Sequence, residues 1–434
     1  MTSRASGRCG GMASRTSCAS PKQTRWPEHP KKCRKLFLIF WGWMLTDIIA
    51  CDVLIVGGGP AGLSVASHLG DDVHSIVVHQ DAEIGLPVRT SGGTWQRDMQ
   101  ALGIPPEMYR VIDQLDFFSD NAEARFAVKD DKMAVMDVTA VYRHLASLSD
   151  GKRSELMTGA KFLSCIEQED GQFLSQIRSR DRGNFNILSR MVIDASGWQC
   201  AVLESLGLGQ KPQRTGVGIE YEFLRGDFEP NRAVLFVGSS ALTGYGWIFP
   251  TPDNRLRLGI GVINPDTDLT PRQVMDAFEA SGQAARYGIE IPEDYETNAG
   301  IIPSEPYDPE LVFGNVVRTG DAANFATPTV GEGIRIAVEY GRLLGTEVTA
   351  HLGGDDKALG RYEAAARREF QRDYKFGFMV NKRIAGYSPE RWDKSVARLG
   401  RLSEQEMTAL VRSRFNLRTM ARTIWLNFKA KVSG

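Results

Sequence analysis

Two kinds of hydrophobic patterning alternate along the chain, and they predict two different sheets. Residues 52–56 (DVLIV) form a continuous apolar run rich in β-branched side chains, which reads as a strand buried on both faces. A glycine-rich turn, residues 57–62 (GGGPAG), follows at once, then LSVASHLG at helical spacing, then a second apolar run over 73–79. This order is strand, tight turn, helix, strand. Residues 138–148 are predicted as a helix that ends a short, mixed excursion over 95–136. Between 155 and 197, apolar runs are separated by Asp170-Gly171 and Arg182-Gly183-Asn184, the turn signals of a hairpin-like meander. The pattern then changes to alternation over 216–223, 233–237 and 256–262, which predicts antiparallel strands with one solvated or cavity-facing side. Residues 315–320 return the chain to the first sheet and 334–347 read as a helix, so the two sheets are interleaved rather than sequential. Beyond Gly353-Gly354 the text is helical, with Ala358, Tyr362, Ala365, Phe370 and Tyr374 near a 3.6-residue spacing. No repeat of 20–50 residues is visible.

The length of 434 residues allows two or three structural units, and 42% hydrophobic with 24% charged residues is ordinary globular composition. The net charge of -1 hides an uneven layout. Residues 1–46 carry nine Lys or Arg against one acid, Glu28, and residues 407–434 carry six basic residues and no acid, so the body between has a net charge of -15. Six cysteines at 9, 18, 33, 51, 165 and 200 show neither CxxC nor metal-ligand spacing, so no metal site is predicted and a reducing, cytoplasmic setting fits. Residues 1–46 are read as a disordered or dispensable extension. Within it, residues 36–45 (LFLIFWGWML) follow basic residues like a signal-peptide core but are too short to span a bilayer. Translation from Met44 is the preferred alternative, because Cys51 abuts a strand whose loop needs everything after it.

The turn carries the first chemistry. Gly57 permits the tight turn, Gly59 lets a pyrophosphate approach the backbone beside Pro60 and Ala61, and Gly62 lets helix and strand pack closely, with the helix N-terminus facing the phosphates. One element departs from an ordinary dinucleotide site. The second strand should end in an acid that binds the adenosine ribose, and His79 stands there, so Gln80, Asp81 or the imidazole itself must serve.

Three further segments resemble the geranylgeranyl reductase family of FAD-dependent oxidoreductases, within the p-hydroxybenzoate hydroxylase-like superfamily, over roughly residues 50–380. Residues 83–89 (EIGLPVR) look like the family's loop beside the flavin, with Arg89 as the implied cofactor contact. Gly320-Asp321-Ala322-Ala323 with Pro328 and Gly331-Glu332-Gly333-Ile334 is similar to its second flavin motif. Asp321 would accept from a sugar or ribityl hydroxyl, while Gly331, Gly333 and Ile334 open a helix toward the flavin ring. Tyr245-Gly246-Trp247-Ile248-Phe249-Pro250 is similar to the family's YxWxFP signature, which implies that Tyr245, Trp247 and Phe249 line a lipid-shaped cavity; period-2 alternation alone would also place them on one face of a half-buried strand. The resemblance implies an α/β fold. A Rossmann-type FAD-binding domain (47–211 and 313–352) is interleaved with an antiparallel-sheet substrate domain (212–312), and a C-terminal helical region (353–434) follows.

Departures from the family are as informative. Thr251 replaces the signature's Lys, Gly259 arrives one residue late, and the family's Cys after Pro-Val-Arg is absent from Thr90-Ser91-Gly92-Gly93. Ser91, Tyr245 or water is then left to protonate an alkene, with Trp247 the third residue assigned to the catalytic face. Residues 192–197 (VIDASG) lack the Arg that follows in aromatic hydroxylases, and no Lys lies between Lys35 and Lys129, which argues against a halogenase. The implied activity is reduction of carbon–carbon double bonds of a prenyl-type or other hydrophobic substrate. The alternatives are a flavin monooxygenase and a lycopene-cyclase-like enzyme without net redox change. With a single dinucleotide fingerprint, electrons would come from NAD(P)H or from a reduced carrier such as an electron-donor protein. In the tail, Leu417, Met420, Ile424 and Phe428 form a stripe flanked by Arg418, Arg422 and Lys429, which reads either as a core-packing helix or as peripheral membrane contact. No basic patch is organised for nucleic acid.

Overall fold

The structure, a computed structural model, describes residues 47–241 and 243–414. The signal-like run at 36–45, the rest of residues 1–46 and the stripe from Leu417 to Phe428 lie outside the described residues. The strand Ile48–Val56 is central to a mainly parallel sheet, paired on one side with Ser75–Val78 and on the other with Gly183–Asp194, which in turn pairs in parallel with Val316–Arg318. Its side chains Val53, Leu54 and Ile55 are fully buried on both faces, which is why the run is continuously apolar. The strands Ala160–Glu167 and Phe173–Ser179 pair antiparallel and complete the meander.

Two helices meet over this sheet with their N-termini toward the same cleft. Pro60–His68 crosses Ile334–Leu352 closely because Gly341 and Gly345 replace side chains at the crossing; a Cβ there would lie 2.6 Å from the Ala61 carbonyl and 2.5 Å from that of Val65.

The second sheet has seven strands among the described residues, in the order Glu296–Pro303, Thr215–Leu224, Arg255–Asn264, Tyr245–Pro250, Arg232–Phe236, Gln114–Phe118 and Glu123–Ala127. Every neighbouring pair is antiparallel except Arg232–Phe236 with Gln114–Phe118. Residues 114–127 therefore extend the substrate sheet rather than forming an excursion of the FAD-binding part. Their pairing partner lies more than a hundred residues ahead, where no local pattern can announce it. One face of this sheet packs Tyr221, Phe236, Ile248 and Leu258 against Val274, Met275 and Phe278 of the helix Pro271–Ala280. The other face looks into the interior.

The long helix Ala358–Ala385 follows, then Pro389–Leu399 and Glu404–Val411. The last two are fastened to the rest by polar clamps: Asp393 accepts from the Ser119 hydroxyl at 2.6 Å, and Arg412 donates to Asp98 at 2.6 Å while lying over the Trp95 ring. Arg412, counted from sequence in the basic tail, is thus a buried ion-pair partner and not a surface charge. No helix among the described residues is long and apolar enough to cross a membrane.

Gly246 shows how tightly the second sheet is packed, since a Cβ there would lie 2.0 Å from the Phe236 ring. Gly246→Ala is expected to cost about 1–3 kcal/mol of stability through overpacking, read as a lower urea midpoint.

Candidate functional site

The first cleft, about 300 Å³, opens at the ends of the parallel strands and is lined by the glycine turn, by residues 78–81, 85–87, 89 and 90, and by Gly320, Asp321, Gly331, Gly333 and Ile334. The three glycines do separate jobs. Gly57 has φ +120° and a Cβ would lie 2.1 Å from the Ala195 carbonyl, while one on Gly62 would lie 2.0 Å from the Gly57 carbonyl. A Cβ on Gly59 would meet nothing within 4 Å, so its surface is left open where the helix N-terminus begins. His79 is half-buried, and its Nε2 has no hydrogen-bond partner within the protein. Burial lowers its pKa, so the imidazole is neutral and free to bond a hydroxyl. Asp81 supplies the acid that His79 displaced: it sits 3.6 Å from His79 Nε2 and accepts two hydrogen bonds from Arg89, at 2.7 and 3.1 Å. Gln80 lies at the exposed edge of the same cleft. Burial pushes Asp321 up to about 6.

A second, larger cavity of about 740 Å³ adjoins the first, and the two share Arg89, Thr90, Ile302 and Gly331 as their common rim. Its floor is the inward face of the seven-stranded sheet. Gly216, Gly218 and Gly261 fall on that face and add no side chains to the floor, while Gly300 lets its strand approach the Arg89 carbonyl, 1.9 Å from where a Cβ would lie. Leu235, Val237, Tyr245 and Trp247 form the apolar side, and the three C-terminal helices close over it with residues such as Phe376, Ile384, Tyr387 and Trp392.

Trp247 is seated by Gly259, its direct partner on the neighbouring strand, where a Cβ would lie 2.1 Å from the indole. The displaced glycine of the signature therefore makes the niche that holds this ring. Trp247 Nε1 donates to Glu220 at 3.0 Å, and Glu220 also accepts from Asn298 at 3.2 Å. Arg257 lies 3.7 Å from Glu220 and 2.9 Å from Glu222. Burial pushes Glu220 up from the usual 4.5 to about 7, because its side chain is only 4% exposed and Arg257 and the hydrogen bonds offset that desolvation in part.

Of the residues expected to act on substrate, Ser91, Tyr245 and Trp247 line this cavity. The Tyr245 hydroxyl donates to the Val330 carbonyl at 2.5 Å, and burial pushes its pKa up to about 12. Phe249 does not line the cavity. It packs beneath Gly93 and beside Met133 in the core, because after Trp247 the strand passes under a small three-stranded sheet of Gly93–Trp95, Met133–Met136 and Tyr109–Ile112. Thr251 closes the hairpin turn by donating to the Arg255 carbonyl, so it performs a backbone task where the family signature has Lys. Asp194 of the DASG segment accepts from the backbone N–H groups of Ser196, Val202 and Leu203, a structural role beside the first cleft. Glu220, Asn298 and Arg257 escaped the sequence reading. The available signal was a pair of acids, Glu220 and Glu222, on the face that also carries Gly216 and Gly218.

A family model described as lycopene cyclase protein matches residues 52–431. The chain belongs to the lycopene cyclase protein family. Curated relatives within reach of this family member carry the reductase name. Digeranylgeranylglycerophospholipid reductase 1 of Methanothermobacter thermautotrophicus is 26% identical over 343 residues, covering 75% of this chain and 84% of that protein. The corresponding reductase of Picrophilus torridus is 24% identical over 397 residues, covering 84% and 96%. Among solved structures, a geranylgeranyl bacteriochlorophyll reductase-like protein from Thermoplasma acidophilum superposes with a TM-score of 0.75 at 19% identity, covering 87% of this chain and 96% of that one. A probable FAD-dependent monooxygenase from Pseudomonas aeruginosa gives 0.56 at 19% identity, covering 84% and 100%. These relatives are named as reductases and the second solved structure as a probable FAD-dependent monooxygenase, the kinds of protein that the resemblance brought together. The first cleft of this chain fits FAD: the bare Gly59 surface, the unpartnered His79 Nε2 and the Asp81 carboxylate are what a pyrophosphate and a ribose require.

Gly59→Val should fold normally, since nothing in the protein obstructs its side chain, yet lose FAD affinity by about tenfold or more (~1.4 kcal/mol), as read by flavin fluorescence titration. Glu220 makes stability pH-dependent in a known direction. Its folded pKa lies above the unfolded value, so the folded state binds the extra proton and stability falls as pH climbs from about 4.5 through 7. Thermal melts across that window should show a shallower fall for Glu220→Gln.

Proposed function

We propose that this protein reduces carbon–carbon double bonds of a prenyl-type lipid. The observation that carries the reading is the apolar cavity of about 740 Å³ that meets the FAD cleft at Thr90, Ile302 and Gly331. Such a volume lies in the upper part of the range for small-molecule sites, about 300–1,000 Å³. Its glycine floor and aromatic side suit a long hydrocarbon. Arg383, Arg391 and Arg414 enter the lining from the helical side, which supports a substrate with an anionic head, as in the phospholipid named for the curated relatives.

FAD held in the first cleft by the Gly57–Ala61 turn, His79, Asp81 and Asp321 would supply hydride chemistry once reduced. The protein holds the chain against the common rim, and the walls built by Leu235, Val237, Tyr245 and Trp247 exclude water from that point. Asp321 and the N-terminal end of the helix Ile334–Leu352 face the cleft where the flavin would lie. NAD(P)H docking transiently, or a reduced carrier protein, is the proposed electron source, in keeping with the single dinucleotide fingerprint. Arg418, Arg422, Lys429 and Lys431, with no acid among residues 415–434, support peripheral contact with an anionic membrane on the cytoplasmic side.

A second reading follows from Glu220. An acid facing a hydrocarbon cavity could protonate a prenyl chain without net reduction, as the family's name suggests. Product mass separates the two, and a monooxygenase as well. Incubating the chemically reduced holoenzyme with a geranylgeranyl-chain glycerophospholipid should add two hydrogens per double bond; an unchanged mass would favour cyclisation or isomerisation, and a gain of one oxygen would favour oxygenation. Sedimentation with anionic liposomes, with and without residues 415–434, should show loss of binding on truncation. Equal recovery in the supernatant would remove the membrane proposal.

A further inference from the structure

We infer that Glu220 is the acid that protonates the substrate double bond, from the cavity wall it shares with Trp247 and Asn298. The inference rests on the reductase reading and names the proton donor that reading lacks. Saturating an alkene needs a hydride at one carbon and a proton at the other, and the donor must reach the apolar cavity.

The lining limits the choice. Glu220 and Glu406 are the carboxylic acids among the described lining residues. Glu406 is occupied in the capping box of the helix Glu404–Val411, where it accepts from the Ser403 backbone N–H at 2.9 Å and the Ser403 hydroxyl at 3.0 Å. The Tyr245 proton is directed to the Val330 carbonyl. Ser91 is an alcohol and a far weaker acid than a carboxyl group.

The charges packed around Glu220 decide where the proton resides. Arg257, from the adjacent strand, faces two carboxylates. It lies 2.9 Å from Glu222 and 3.7 Å from Glu220. Glu222 has a second guanidinium as well, Arg255 at 3.0 Å, and Arg255 also reaches Glu296 at 2.9 Å. The two guanidinium groups therefore lie nearest Glu222, and Glu220, with the longer contact and no second guanidinium, keeps the proton. A pKa of about 7 agrees with this placement and suits an acid working near neutrality. The conjugate base is provided for. Once the proton leaves, the Trp247 N–H at 3.0 Å, the Asn298 N–H at 3.2 Å and the nearby Arg257 stabilise the carboxylate.

The balance is complete. Hydride from reduced flavin forms the first new C–H bond as the π bond opens. The π electron pair forms the second C–H bond with the Glu220 proton, and the O–H bond breaks to leave the carboxylate. Both electrons come from the reduced flavin, and solvent later returns the proton to Glu220.

The test uses the holoenzyme, reduced with dithionite, and a geranylgeranyl-chain glycerophospholipid in vesicles. Glu220→Gln should retain FAD and lipid binding but lower kcat by about 10²–10⁴-fold, with partial rescue by Glu220→Asp. The wild-type kcat should fall as pH rises through about 7, and Trp247→Phe, which removes one donor to the carboxylate, should move that fall to higher pH. Infrared difference titration gives a readout independent of turnover: a protonated-carboxyl band that disappears with a midpoint near 7 in wild type and is absent from Glu220→Gln. Equal kcat in wild type and Glu220→Gln, a change confined to KM, or no such band would overturn the assignment while leaving the reductase reading intact. A wild-type protein that binds FAD and the lipid but adds no hydrogen would overturn the reductase reading, and the assignment with it.

Discussion

Arg257 is the joint on which the two halves of the site depend. Its guanidinium is 4% exposed, and besides Glu220 and Glu222 it donates to the Ser91 carbonyl at 3.1 Å and the Met136 carbonyl at 3.2 Å. One side chain therefore ties the floor of the substrate sheet to the loop that leaves the first cleft and to the end of the central strand of the three-stranded sheet. Taking one partner from such a buried, fully bonded group leaves the others uncompensated, typically at about 3–5 kcal/mol. The same cation lies 3.7 Å from Glu220 and offsets part of the burial that raises its pKa, so the geometry of the joint and the electrostatics of the cavity wall cannot be varied independently.

Around that joint the walls are made in two ways. The sheet side relies on omitted side chains: Gly216, Gly218 and Gly261 keep the floor low, Gly300 admits the Arg89 carbonyl, and Gly259 gives the Trp247 indole its seat. The helical side relies on side chains that fill. It is fixed by a few polar clamps, among them Arg412 with Asp98 and Asp131, and Asp98 in turn with Arg335. Substitutions on the sheet side would intrude on the chemistry, whereas those on the helical side would reshape the space available to a ligand.

The parts of this arrangement that were legible from sequence are those in which a local steric need selects one residue type. Gly57, Gly59 and Gly62 could be given separate duties because each acts over a few residues: a Cβ would strike the Ala195 carbonyl at Gly57 and the Gly57 carbonyl at Gly62, while at Gly59 it would meet open space. Alternation correctly put Tyr245, Trp247 and Phe249 on one face. It could not reveal that the cavity ends at Trp247, because that limit is imposed by Gly93 and Met133 of a different sheet. Glu220 stayed hidden for a similar reason. Its partners lie 27 residues away in Trp247 and 78 in Asn298, and only strand pairing brings them together. His79 was legible as an anomaly, and the remedy lay two residues further on in Asp81.

The common rim at Arg89, Thr90, Ile302 and Gly331 is the one place where the two compartments touch among the described residues. A long flexible ligand with several equivalent bonds would meet this aperture at a single station along its length. Depth of insertion then becomes a ruler: the distance from the aperture to the far wall counts carbons, and the bond presented for reaction is selected by how far the chain has been threaded.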